Sequence, residues 1–281
     1  MKVRLLLGVL ALGAVTLTSC GELPPYDLDT ETELVIGMET AYAPFNWQQD
    51  NANGSFTHKI SGSVGYADGY DVQISKLVAA NIGKTLVIKS IDWDGLIPAL
   101  LSGNIDGILA GMSPTTERKQ TISFSNEYYR SEVVMVVRTG SSLASATSLA
   151  DFSGSKIVAQ AGTLYVDLVN QIPDANKLEP LRTYTDLRTA VLSTVADAFI
   201  CELPVAQASI SKVSGLEMVR FTGTNGFTIE DEEITVSIGL RKQDTALQSA
   251  LNTALGTITT AQRNQLMEES LDRQPSTGTD D

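Results

Sequence analysis

The residues able to do chemistry in this chain are few. A thiol and a carboxylate stand side by side in Ala198-Phe199-Ile200-Cys201-Glu202-Leu203-Pro204. The single histidine, His58, lies in the polar stretch NGSFTHKISGS, and the other cysteine, Cys20, closes the leader MKVRLLLGVLALGAVTLTSC. A zinc site needs several Cys, His or acidic ligands in register, and a Ser/His or Cys/His nucleophile needs a histidine as its base. His58, expected in a solvated loop, supplies neither. No GxSxG, GxxxxGK[ST] or HExxH string occurs. The expectation is therefore no catalytic residue, no metal and no cofactor, which leaves Glu202 as a binding group.

The leader decides the compartment. Lys2 and Arg4 precede an apolar run from Leu5 to Leu17, too short for a comfortable membrane span and typical of an export signal. Its end, Leu17-Thr18-Ser19-Cys20-Gly21, looks like the lipobox of bacterial lipoproteins. That likeness implies acylation at Cys20 and an extracytoplasmic chain, periplasmic or cell-surface, held on the membrane by its lipid. Cys201 is then left without a disulfide partner. Cleavage removes two of the 20 basic residues, leaving 18 against 33 acidic ones, a net charge of −15. Such a surface excludes nucleic acid as a partner.

The polar candidates need elements to hold them. Short β-rich runs (LVIGM, TLVIKSI, IDGILAG, KIVAQAG, ADAFICE) alternate with helical ones (DVQISKLVAANIG, DLRTAVLST, PVAQASISKV), which predicts α/β layers. Asp94 to Pro114 and Asp186 to Pro204 share an Asp, an amphipathic helix, a second Asp, an apolar strand and a Pro, a repeat that points to two similar lobes. The expected division is a signal at 1–19, a polar tether at 20–31, lobe 1 at 32–131 and 236–273, lobe 2 at 132–235 and a loose tail at 274–281. Open sheets of this kind bind ligands beyond the C-terminal ends of their strands. The residues there are Glu39 and Tyr42, Trp93, Gly111-Met112-Ser113, Gln160 to Thr163, and Glu202.

Their chemistry forms a set. Arg118, just after Ser113, offers a two-pronged guanidinium for a carboxylate. N–H groups around Ser113, and those of Gly162-Thr163 leading into a helix from Leu164, make an anion seat. Glu202 and Glu39 accept from an ammonium or another cation, and Tyr42 and Trp93 present aromatic faces. Carboxylate seat, ammonium seat and side-chain cage together describe an α-amino acid.

Tyr42-Ala43-Pro44-Phe45, Gly69-Tyr70-Asp71-Val72, Trp93 to Leu100, Ala110 to Ser113 with Glu117-Arg118, Phe124-Ser125 with Tyr128-Tyr129, Gln160 to Thr163, and Asp197-Ala198 with Glu202 form a specific combination. Through them the chain from about Glu33 to Gln274 resembles the polar amino-acid-binding proteins of bacterial ABC importers, solute-binding protein family 3, in a lipoprotein form. The resemblance implies a two-lobed Venus-flytrap fold of type II, with mixed, mostly parallel sheets and hinge crossings near Arg130 to Met135 and Asp231 to Thr235. It also implies residue roles. Arg118 clamps the ligand carboxylate with Gly111, Ser113 and the amide near Leu164, Tyr42 and Trp93 sandwich the side chain, Glu39 meets its polar end, and Glu202 takes the α-ammonium. Two positions depart from the commoner pattern, since Glu202 and Glu39 each stand where Asp is frequent.

The expected function is therefore extracytoplasmic capture of a free amino acid, with lysine, arginine or ornithine favoured because Glu39 adds a second negative group. Delivery would be to the permease and ATPase subunits of an importer, by a monomer on a lipid anchor. The alternatives are a cleft enzyme of the cyclohexadienyl or arogenate dehydratase type, with Glu202 as general acid, and a ligand-sensing subunit of a signalling system.

Overall fold

The computed structural model of the protein describes residues 23–275; the export signal, Cys20 and most of the expected tail lie outside the described residues. The chain runs β1 (Glu33–Met38), β2 (Ala41–Tyr42), β3 (Asn46–Gln49), β4 (His58–Lys59), β5 (Tyr66–Asp68), α1 (Tyr70–Asn81), β6 (Thr85–Ser90), α2 (Leu96–Leu101), β7 (Gly107–Ile108), α3 (Thr116–Thr121) and β8 (Ser123–Arg130). It continues with β9 (Val133–Arg138), β10 (Lys156–Val158), α4 (Tyr165–Leu168), β11 (Asn176–Lys177), α5 (Tyr184–Leu192), β12 (Ala198–Glu202), α6 (Leu203–Lys212), β13 (Leu216–Val219), β14 (Thr235–Leu240), α7 (Thr245–Gly256) and α8 (Thr260–Arg273).

Two five-stranded sheets organise these elements, in the orders β6-β1-β7-β14-β8 and β11-β10-β12-β9-β13, and β2, β3, β5 and β4 form a small third sheet. In each large sheet two pairings are parallel and two antiparallel. The antiparallel neighbour of the central strand is the one that arrives from the other sheet: β9 beside β12, and β14 beside β7. A strand entering from the cleft side must run against those that end there. The segments crossing between the sheets, 131–132 and 220–234, are tied by Ser131 N–H to the carbonyl of Ile234 at 2.9 Å.

The internal repeat has a structural counterpart. β7 and β12 each occupy the middle of their sheets, and the aspartate before each does the same work. Asp106 accepts from Val35 N–H at 3.0 Å and Asp197 from Lys156 N–H at 2.8 Å, so each acid closes the open end of its neighbouring strand. Apolar burial secures both layers: Leu34, Ile36, Ile88 and Ile108 are fully buried in one, Phe199 and Ile200 in the other, each worth about 1.5–3 kcal/mol.

Two expectations change. His58 lies on β4, half-buried, with Nε2 3.0 Å from the carbonyl of Leu86 rather than in a solvated loop; burial lowers its pKa. The stretch 23–31 is packed down rather than free, because Tyr26 is buried with its N–H on Asp244 and Lys84 grips the carbonyls of Leu28 and Glu31. Among the described residues no helix is long and apolar enough to cross a membrane.

Candidate binding site

The first large sheet supplies one wall of the cleft. Beyond β1 the chain turns through Glu39 and Thr40, the latter at a φ of 55°, into β2 and Tyr42. The Tyr42 ring stacks on Phe45, with centroids 5.3 Å apart and planes at 10°. Gly111, beyond β7, has a φ of 62°, and a Cβ there would sit 2.5 Å from Cε1 of Tyr42. Any larger residue would strain the backbone and displace that ring. Thr115 caps α3 by accepting from Arg118 N–H at 3.3 Å, and the Arg118 guanidinium turns back to the Ser113 carbonyl at 2.8 Å. Met112, expected beside the ligand, is 1% exposed in the apolar core. Flanked by Gly111 and Ser113 in the cavity wall, its side chain takes the opposite, apolar side.

The second sheet supplies the facing wall. All of β12 is buried, and it ends at Glu202, 4% exposed, with Pro204 in the first turn of α6. Gln160 is buried just past β10, and its Nε2 lies 3.2 Å from Glu39 Oε1 and 3.0 Å from the Arg182 carbonyl. Thr163 folds its hydroxyl onto the Gln160 carbonyl at 2.7 Å. The helix expected from Leu164 is the four-residue α4, so any anion seat there rests on individual N–H groups rather than on a helix dipole. Among the described residues the Thr163 and Leu164 N–H groups donate to no protein carbonyl.

The walls meet. Gly162 offers its carbonyl to Trp93 Nε1 at 3.2 Å and to Arg118 at 3.1 Å, the Tyr42 hydroxyl donates to Glu202, and Arg182 reaches Asp92 at 3.0 Å. Between them lies a narrow cavity lined by Glu39, Tyr42, Trp93, Gly111, Ser113, Arg118, Gln160, Thr163, Leu164 and Glu202, together with Tyr165 and Tyr184. Trp93 turns its ring to Arg118, 5.0 Å from ring centroid to guanidinium carbon, while Tyr184 packs 4.9 Å from Tyr42. Tyr42 is thus held between Phe45, on which it stacks, and a tilted Tyr184, and both Tyr42 and Trp93 line the cavity.

The electrostatics are unbalanced. Burial pushes Glu202 up to about 8, against the Tyr42 hydrogen bond, with buried Asp71 adding a smaller upward push. Burial also pushes Glu39 up to about 7, opposed by the Gln160 amide and assisted by Asp92 and Asp94. Burial brings Arg118 down to about 10. Among the described residues neither Arg118, Glu202 nor Glu39 has an ion-pair partner. No group of three metal-ligating side chains occurs among the described residues. Cys201 is fully buried, and burial raises its thiol well above the usual range.

Residues 34–270 match the family of bacterial extracellular solute-binding proteins, family 3. The chain belongs to that family. Among similar members, the arginine-binding extracellular protein ArtP of Bacillus subtilis is 30% identical over 91% of this chain and 92% of its own. The L-arginine-binding protein of Pseudomonas aeruginosa is 28% identical over 91% and 90%. In structure, the substrate-binding protein of an amino acid ABC transporter superposes with a TM-score of 0.70 at 26% identity, covering 85% of this chain and 99% of that one. An ancestral arginine-binding protein bound to arginine gives 0.68 at 26%, covering 85% and 98%. The fold is thus the two-lobed, type II arrangement of this family, whose relatives named above are binding proteins rather than enzymes.

Two cavity residues of this family member stand outside the set that the sequence pattern marks. Tyr165 directly follows Leu164 and is within reach of a strand-end reading. Tyr184 starts α5 and follows no strand; it comes to the cavity beyond the bridge between Gln160 and Leu181, which no local pattern signals.

A carboxyl held near 8 when folded and near 4.5 when unfolded stabilises fully below the lower value and loses that contribution as pH rises toward the upper one. Glu202→Gln is therefore expected to raise the melting temperature of the ligand-free protein, with a gap that widens from about pH 5 to about pH 8 and reaches roughly 4 kcal/mol. Thermal unfolding across that range checks it; a constant gap would show that Glu202 is ionised in the folded protein throughout.

Proposed function

We propose that the cleft binds a free L-amino acid with a cationic side chain, arginine, lysine or ornithine. The chain would hold it outside the cytoplasm and pass it to the permease and ATPase subunits of an ABC importer. The observation that carries this reading is one cavity holding a guanidinium without a carboxylate and two carboxylates without a cation. Each is expensive to bury alone, and a zwitterion with a cationic tail satisfies all three. Its carboxylate takes the Arg118 fork and the Thr163 and Leu164 N–H groups, its ammonium goes to Glu202, and its side chain crosses the aromatic group toward Glu39. Asp92 and Asp94 beyond Glu39 add negative potential at that end. The arginine-binding relatives support the same ligand class.

Binding first to one lobe and then closing the other over the ligand follows from the two crossings, since ligand bonds that only the second lobe can supply favour the closed state. A micromolar affinity, about −8 kcal/mol, is within reach of charge-assisted bonds worth about 1.5–3 kcal/mol each. The lipid at Cys20 would keep a monomeric receptor beside its permease.

Calorimetric titration of the purified protein with the standard amino acids and ornithine is expected to give strongest binding to the basic ones. Arg118→Ala should weaken every ligand by at least about a hundredfold, two charge-assisted bonds being lost. Strongest binding of glutamate or aspartate, or retained affinity in the Ala variant, would overturn the ligand assignment. Fatty-acid labelling in cells should depend on Cys20 and vanish in Cys20→Ser; equal labelling of both proteins would contradict the anchor.

A further inference from the structure

Asp71, the second residue of α1, is fully buried and outside the cavity lining, yet it ends a hydrogen-bond chain that begins beside Glu39. Its carboxylate accepts from Asn46 Nδ2 at 2.7 Å and from the Tyr128 hydroxyl at 2.7 Å. Asn46 Oδ1 in turn accepts from Thr40 N–H at 2.7 Å. Thr40 is a β-branched residue at a φ of 55°, a conformation such residues keep only when their surroundings impose it. Its neighbours are Glu39 and, two residues on, Tyr42. The same helix end holds the intervening turn through its backbone, with Tyr70 N–H on the Pro44 carbonyl and Asp71 N–H on that of Phe45.

The direction of this chain admits one arrangement. The Thr40 amide only donates, so Asn46 must present oxygen to it and nitrogen to residue 71, which must accept from Asn46 while its other oxygen takes the Tyr128 hydroxyl. A carboxylate does this. We infer that Asp71 is a positioning residue for ligand selection: acting through Asn46, it holds Thr40 in its left-handed conformation and so aims Glu39 and Tyr42 into the cleft. This deepens the proposed function and rests on it for the ligand alone.

With Asp71→Asn, one amide oxygen replaces two carboxylate oxygens, so either Asn46 Nδ2 or the Tyr128 hydroxyl proton loses its acceptor inside the protein. The exchanged pair Asn46→Asp with Asp71→Asn repairs it, because Asn at 71 offers oxygen to Tyr128 and nitrogen to Asp at 46, whose second oxygen takes the Thr40 amide. Amide hydrogen exchange at Thr40 in the ligand-free protein and calorimetric titration with L-arginine test this. In Asp71→Asn, Thr40 exchange should accelerate and L-arginine affinity fall, each by at least about tenfold, the scale of one buried hydrogen bond. The exchanged pair should restore both to within about threefold, a difference within the reach of imperfect repacking. Unchanged exchange in Asp71→Asn, or an exchanged pair as defective as the single variant, overturns the inference. If Asp71→Asn does not fold, Asn46→Ala takes its place and must show the same fast exchange at Thr40, with protection there contradicting the inference. A native protein that ignores L-arginine counts against the proposed ligand, and the exchange measurement then decides the role of Asp71.

Discussion

An ionisable group taken out of water keeps its charge when an opposite charge lies against it, and three such groups line one cavity here without one. Arg118 is tethered by carbonyls and an aromatic face but by no acid, while Glu202 and Glu39 are met by a hydroxyl and an amide but by no base. Neutral dipoles are weaker partners than ions, so the upward displacement of both carboxyls and the downward one of the guanidinium have a common origin in burial. The remainder of the molecule holds these groups in place against that penalty.

The holding is done by strand ends. β1 and β7 on one side and β10 and β12 on the other stop at the cleft, and the following residues are turned toward it by left-handed glycines, Gly111 and Gly162. The two aspartates that close β1 and β10 keep those strands in register, and the buried chain from Asp71 to Thr40 adds rigidity where the backbone is strained. The lobes meet across the cleft through the buried Tyr42–Glu202 bond, the Gln160–Glu39 bond, the Gly162 carbonyl with Trp93 and Arg118, and the exposed pair of Arg182 with Asp92, the last worth little in water.

How much of this was legible in the sequence follows from how local each feature is. Glu39, Gly111, Gln160 and Glu202 each stand at or just past the end of an apolar strand pattern, so that pattern located them at the edge where the structure has them. The repeat around Asp106 and Asp197 was visible because both copies keep order and spacing. Features set by distant chain segments were not visible. Tyr184 comes to the cavity beyond the bridge at Leu181. Trp93 is drawn to Arg118 of its own wall and to the Gly162 carbonyl across the cleft. Tyr26 packs down 218 residues from Asp244. His58 reads as loop because β4 is only two residues long.

The central claim, that the cleft completes its charges only when a zwitterion arrives, implies proton release. At about pH 7.5 most Glu202 and part of Glu39 hold a proton before binding, and a cation against each carboxylate expels it. Calorimetric titration of the protein with L-arginine at that pH, repeated in buffers of different ionisation enthalpy, measures the proton count directly. Release of about one proton per ligand is expected; binding with no release, or with uptake, would contradict the account.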